Sequence, residues 1–378
     1  MSSQQITVLI ILIVYLVANT VIGLVYGKVR DSRSTLSKEN KYFIGGRGMN
    51  GLILAMTTMA TYTSVSSFIS GPGAGGMTYG YTQVWIAATQ VPVTFMVLGV
   101  LGNKLAIVSR RTGAVTVAGY LRARYKSDLL VIVTSILMVV FFIVQMIGQF
   151  KGGATLVSVI TGLDYKVGLM IFAAVVIIYT SFGGFTAVVI TDTIQGLIMC
   201  LGTAILLISA FTAGGGVENI NASLATKLPD VWDNLTGVFG PGTLLSYWIL
   251  VGFGTIGLPQ TAVRAMGFKN TKSLHSAMWI GAVTCAFVIV GMHLAGVWCG
   301  ALIDTSTLPN SDYFIPTVVL QIMPVGIAGL FLAAPLAAVM STVSSLLILA
   351  SAAIIKDIYH TYYVKDIPER VAKYQKNL

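Results

Sequence analysis

The chain has 378 residues, 56% of them hydrophobic and only 10% charged, with a mean hydropathy of +0.85. So little polar surface excludes a soluble domain of this length. The net charge of +10 does not call for nucleic acid, because the basic residues gather between apolar runs, where loops facing anionic lipid carry them.

Nine apolar runs follow in chain order: Ile6 to Val25, Gly51 to Gly71, Tyr79 to Val108, Leu129 to Ile160, Val167 to Phe182, Ala187 to Ala213, Leu244 to Val263, Ser276 to Ile303 and Val325 to Ile355. A hydrocarbon core of about 30 Å takes roughly 20 residues of helix, and bare backbone polar groups are not tolerated there, so each run is expected to be helical. The first run has no basic stretch before it and no small-residue cleavage site after it, and is expected to persist as a helix. Counting alternate connections from an external N-terminus leaves only Lys151, Lys166 and Lys227 off the inner side, which holds Lys28, Arg47, Arg110, Arg122, Arg264, Lys269 and Lys356 among others. Asp164, Glu218, Asp230, Asp233, Asp304 and Asp312 fall outside. That bias predicts a multi-pass inner-membrane protein with its N-terminus outside and C-terminus inside.

The outer connections 214–242 and 304–324 are the long ones, and the second is expected to hold a short surface helix from Tyr313 to Met323. The inner segment Arg110 to Tyr125 mixes basic and apolar residues and reads as an interfacial anchor. Cys200, Cys285 and Cys299 lie in or at the ends of apolar runs without CxxC spacing, and read as small buried hydrophobes.

Two runs are interrupted. The second carries Thr57, Thr58, Thr61, Thr63, Ser64, Ser66 and Ser67, followed by Gly71, Pro72 and Gly73, which are read as its helix break. The seventh carries Gly252, Gly254, Gly257 and Pro259, where proline removes a donor and glycine permits unwinding. Five spans separate the start of one from the start of the other. Paired interruptions of this kind point to a transporter binding site, because freed carbonyls coordinate cations and half-helix N-termini attract anions. For any single glycine the alternative is close helix packing. In the ninth run Ala338, Ser341 and Thr342 share a helical face, so a carbonyl and two hydroxyls converge on one spot suited to sodium, a hard cation; bonding back to their own helix is the alternative.

The run Gly183-Gly184-Phe185-Thr186-Ala187 after Tyr179, leading into Thr191-Asp192-Thr193-Ile194-Gln195-Gly196, resembles the sodium:solute symporter family. So do Tyr42-Phe43-Ile44-Gly45-Gly46-Arg47, Ala60-Thr61-Tyr62, Ser66-Ser67-Phe68-Ile69, Gly257-Leu258-Pro259-Gln260-Thr261-Ala262-Val263-Arg264, Gly291-Met292-His293-Leu294-Ala295-Gly296 and Ala337-Ala338-Val339-Met340-Ser341-Thr342. The resemblance runs from Ile6 to about Tyr359. It implies an all-α, LeuT-like transporter core of inverted repeats: an extra N-terminal helix at 6–27, a first five-helix repeat at 50–213, the first three helices of a second repeat at 243–358, and a cytoplasmic tail at 359–378. The second repeat is then expected to be incomplete.

The same resemblance implies a sodium site on the carbonyls of Ala60, Thr63 and Ala338 and the hydroxyls of Ser341 and Thr342. It places substrate beside Ser64, Ser67, Gln149, Thr255 and Gln260. The implied activity is sodium-coupled uptake of pantothenate, a small organic anion, by alternating access, with proline or a monocarboxylate as alternative solutes. Sodium is the coupling ion and no other cofactor is implied.

Charges inside spans cost about 2.5–3.5 kcal/mol or more at mid-depth. For Asp192 the resemblance implies a place bordering the sodium exit path, with a structural carboxylate held by neighbouring hydroxyls as the alternative. Lys151 replaces an apolar residue of pantothenate-type members, with Thr155 where they carry Arg, and is read as snorkelling outward or as touching a substrate carboxylate. His293 reads as a helix contact rather than a proton relay. Against an embedded enzyme stands the absence from this sequence of paired intramembrane acids, HExxH, or a Ser or Cys with a base at plausible spacing, and against a passive channel the absence of a ring-forming charged or carbonyl-filter motif.

Overall fold

The computed structural model describes residues 3–32, 47–232 and 239–363, apart from the side chains at 26–32, 179 and 181–183. Several sequence readings lie outside these: the stretch Tyr42 to Gly46, Arg33, Lys38 and Lys41, Asp233, the tail beyond Tyr363, and the side chains of Lys28, Arg30 and Tyr179.

The described chain is helical almost throughout. In order come α1 (Ser3–Ser32), α2 (Gly51–Tyr62), α3 (Ser66–Tyr79), α4 (Thr82–Thr112), α5 (Val117–Tyr125), α6 (Asp128–Thr161), α7 (Tyr165–Ile178), α8 (Gly184–Ala213), α9 (Val217–Lys227), α10 (Pro241–Gly257), α11 (Pro259–Ala265), α12 (Thr271–Gly300), α13 (Ser311–Ile322) and α14 (Val325–His360). Six helices, α1, α4, α6, α8, α12 and α14, are long and apolar enough to cross a membrane; α2 with α3 and α10 with α11 form two more spans, bent by 74° and 48°. The shorter apolar α7 leads into α8 through Gly184, whose φ of 60° suits a residue without Cβ. The protein is therefore a multi-pass membrane protein.

Lipid-facing and core-facing sides separate cleanly. On α1, Val8 is fully buried while Val14 is 62% exposed, the pattern of a helix with one packed and one lipid-facing side. Its packed side meets Thr191 and Ala187 of α8 at Gly23, and Ile11 lies against Gly329 of α14. Backbone bonds join the segment entering α2 to the one leaving α11: Met49 N donates to Gly267 O (3.2 Å) and Lys269 N to Met49 O (2.9 Å), beside a bridge between Met49 and Phe268.

Two boundaries differ from the sequence reading. The first break lies at Thr63 and Ser64, not at Gly71, Pro72 and Gly73, which are helical within α3. The small residues serve packing instead. A Cβ on Gly71 would strike His293, one on Gly73 would strike Ser311, and one on Gly76 would lie 2.5 Å from both Gly296 O and the Phe314 ring. Close approach of α3 to α12 and α13 requires their absence. The connection 214–242, expected on the outer side, also holds α9, whose Ile220 and Leu224 are buried against Val297. Glycine-rich flanks concealed it. Helix α13 begins two residues before the expected Tyr313 because the Asn310 side chain accepts from Asp312 N (3.0 Å), and its Phe314, Ile315, Val318 and Val319 are buried rather than on the surface.

Gly76→Ala is expected to destabilise the fold by about 1–3 kcal/mol through overpacking, whereas Gly257→Ala, with no atom within 4 Å of its Cβ, meets no such clash. Thermal melting of both variants in detergent checks the contrast.

Candidate functional site

Thr61, Thr63 and Val65 are β-branched and the hydroxyls around them compete for backbone groups, so this is where α2 gives way. Thr63 is extended (φ −73°, ψ 118°). The break frees carbonyls on one side and an N–H on the other. Val65 N donates to Gln149 Oε1 of α6 (3.1 Å). The carbonyls meet α14: Ser341 Oγ donates to Ala60 O (2.8 Å) and lies 3.1 Å from Ala338 O, while Thr342 Oγ1 lies 3.0 Å from Ala338 O, 3.3 Å from Thr63 O and 3.4 Å from Thr61 O. All five residues expected at the sodium site thus fall in one buried cluster of neutral oxygens. Each hydroxyl can turn its proton away and offer a lone pair inward, the donor set hard cations prefer.

The residues expected beside it are placed less uniformly. Gln149 is buried and committed to Val65, next to Ser64, whose hydroxyl is 2.8 Å from that of Ser66; Ser67 is buried in the same turn. Thr255, on α10, lies 3.3 Å from the Tyr62 hydroxyl and donates to Val251 O. The second break is at Leu258, between Gly257 and Pro259, where ψ reaches 125°. Beyond it Gln260 borders a cavity of about 290 Å³ with Gln145, Met138, Phe142 and Leu258; its amide donates to Gln145 at 3.4 Å. Ser64, Ser67, Gln149 and Thr255 do not line that cavity.

Behind the cluster lies the correction with most consequence. Arg264, counted from sequence among the inner-loop cations, is 1% exposed and paired with Asp192, which is fully buried (2.7 Å). A carboxylate in this environment needs a counter-charge, and the half-helix α11 supplies it from within the membrane. Asp192 Oδ2 also accepts from Thr57 (2.9 Å) and Thr61 (3.3 Å), whereas its Oδ1 makes no hydrogen bond among the described residues. The sequence signal was available: a buried acid in α8 requires a base, and Arg264 is the cation nearest the second break.

Lys151 meets a partner that neither sequence reading included. Its ammonium lies 2.8 Å from Asp312 Oδ2, and Ser70 donates to the other oxygen of that carboxylate (2.5 Å), tying α3, α6 and α13 together. His293 Nδ1 is 2.7 Å from Ile289 O on its own helix, and the ring abuts Gly71, a helix contact.

Asp192→Ala leaves Arg264 buried without a counter-charge and is expected to cost about 3–5 kcal/mol; the double variant Asp192→Asn, Arg264→Met recovers most of it. Lys151→Met, at a pair whose lysine is 57% exposed, is expected to cost less than about 1 kcal/mol. Chemical or thermal unfolding in detergent measures both.

Comparison with known proteins agrees with this architecture. The family model described as the sodium:solute symporter family matches residues 42–373. The sodium/pantothenate symporter of Haemophilus influenzae is 46% identical over 325 residues, 84% of this chain and 66% of that protein. That of Escherichia coli is 44% identical over 94% of this chain and 73% of its own length, and the osmoregulated proline transporter OpuE of Bacillus subtilis is 30% identical over 95% and 72%. Among solved structures, the substrate-bound outward-open state of a Na+-coupled sialic acid symporter superposes with a TM-score of 0.73 at 22% identity, covering 94% of this chain and 75% of that one, which places the chain in the same LeuT-like all-α fold. The chain belongs to the sodium:solute symporter family.

Proposed function

We propose that this protein takes up pantothenate across the bacterial inner membrane, driven by sodium moving inward in an alternating-access cycle, with the N-terminus outside and the C-terminus inside. The observation that carries the sodium part is the buried cluster of Ala60, Thr63, Ala338, Ser341 and Thr342 at the first helix break. The substrate part is supported by relatives at 46% and 44% identity that are sodium/pantothenate symporters, while proline transporters stand near 30%. In this reading the two broken helices open successive repeats, and Ser64, Ser67, Gln149, Thr255 and Gln260 attend the substrate. Asp192 borders the inward path of the ion.

Charge sets the energetics. One sodium with one monovalent anion is electroneutral and gains nothing from membrane potential, which supplies about 2.3 kcal/mol per net charge per 100 mV. Accumulation driven by membrane potential therefore reports two or more sodium ions per anion.

Concentrative uptake of labelled pantothenate by vesicles, abolished when sodium is equal on both sides and no membrane potential is imposed, is the expected result. Counterflow by proline or a monocarboxylate at equal rate instead assigns the alternative substrate. Within the site, Thr342→Ala is expected to raise the sodium concentration for half-maximal uptake by about tenfold, equivalent to about 1.4 kcal/mol, with a smaller change in pantothenate affinity at saturating sodium. An unchanged sodium dependence with normal expression removes Thr342 from the site.

A further inference from the structure

Besides the bond from Arg264 to Thr57, a second side-chain contact joins the two broken helices. Tyr62, the last residue of α2, places its hydroxyl 3.3 Å from Thr255 Oγ1 on α10, shortly before the break at Leu258. What lies behind Thr255 fixes the direction of that bond. Its Oγ1 is 2.6 Å from Val251 O and 3.2 Å from Gly252 O. A carbonyl only accepts, so the single threonine proton is spent there, and the phenol is the donor to Thr255. With its own proton committed, the Tyr62 oxygen keeps lone pairs to which no other group donates among the described residues.

There is room beside it. Tyr62 and Thr255 are both half-buried, a Cβ on Gly257 would meet nothing within 4 Å, and one on Gly254 would meet only Ile249 O at 3.7 Å. The residues on either side of Tyr62 are occupied elsewhere: the carbonyls of Thr61 and Thr63 lie 3.4 and 3.3 Å from Thr342 Oγ1. Three consecutive residues thus give their backbone to the oxygen cluster and the side chain between to α10. An oxygen that offers lone pairs alone favours a hydroxyl or an N–H and repels a carboxylate. Pantothenate carries both kinds of group, with a carboxylate at one end, hydroxyls at the other and an amide between them.

We propose that Tyr62 is a specificity-determining residue: its phenol oxygen accepts a hydrogen bond from a hydroxyl of the solute, and Thr255 holds the phenol in that role by taking its proton. The hydroxyl-bearing end of the solute then lies at the bridge between α2 and α10, and its carboxylate points away. A simple monocarboxylate without a hydroxyl offers this oxygen nothing and is selected against. The proposal rests on the pantothenate reading above.

The test uses the intact protein in vesicles at saturating sodium, with unlabelled pantothenate and its analogues lacking one or the other hydroxyl competing against labelled pantothenate. In the wild type, one of the analogues is expected to compete about three- to tenfold more weakly than pantothenate, the loss of one neutral hydrogen bond. In Tyr62→Phe that difference is expected to fall below about twofold, because the oxygen that reads the hydroxyl is gone; the ligand change and the residue change form a cycle that isolates their contact. Thr255→Val keeps the phenol but returns its proton, so the same preference is expected to shrink. This variant decides the matter if Tyr62→Phe fails to fold. A tyrosine that only packs lowers melting temperature and folded yield and weakens pantothenate and both analogues alike. A preference that is absent from the wild type, or that survives in the folded variants, overturns the proposal. A wild type that takes up no pantothenate overturns the functional reading and this one with it, a separate result visible before any variant is made.

Discussion

A helix opened inside a bilayer has no water to turn to, and this constraint organises the rest of the molecule. Ending α2 at Thr63 leaves carbonyls pointing onward and the Val65 N–H without a helical partner. Two elements answer. Gln149 reaches across from α6 to the N–H, and the hydroxyls of Ser341 and Thr342 reach across from α14 to the carbonyls. The oxygens gathered to satisfy a broken backbone are the same oxygens a hard cation would accept in place of those weak partners. The need to satisfy those carbonyls accounts for polar residues of α14 sitting in its most buried stretch, and under the proposed function the same arrangement holds the ion.

The buried charges obey the same logic with larger stakes. Asp192 and Arg264 hold one another at the centre, backed by Thr57, Thr61 and Ser345. Lys151 and Asp312 form a looser pair where α6 meets α13, with the lysine half in the open. The former is expensive to break and the latter cheap, because burial rather than distance sets the cost. Between them, α3 is drawn against α12 and α13 by glycines whose hydrogens are all the space allows.

Much of this was legible in the residues. Span lengths follow from hydrophobic runs, and the face shared by Ala338, Ser341 and Thr342 follows from helical periodicity. The first break was misplaced because Gly71, Pro72 and Gly73 are strong local punctuation, while the decisive signal was weaker: β-branched residues and hydroxyls at Thr61 to Val65, stabilised by partners over 80 and over 270 residues away. Local propensity cannot see such partners. Arg264 was assigned to a loop for a related reason, since a charge at the end of an apolar run looks interfacial until the carboxylate it serves, 72 residues earlier, is placed beside it. Lys151 had two plausible readings, and its actual partner on α13 was separable from other outer acids only by the tertiary packing.

The backbone bonds between Met49 and the Gly267 to Lys269 segment couple the roots of both broken helices. Because main-chain bonds do not depend on side-chain identity, this joint resists drift by substitution. It ties the start of α2 to the end of α11, so the contact from Arg264 to Thr57 joins two segments already linked through the backbone, whereas those to Asp192 and Ser345 reach α8 and α14, which lie outside that joint.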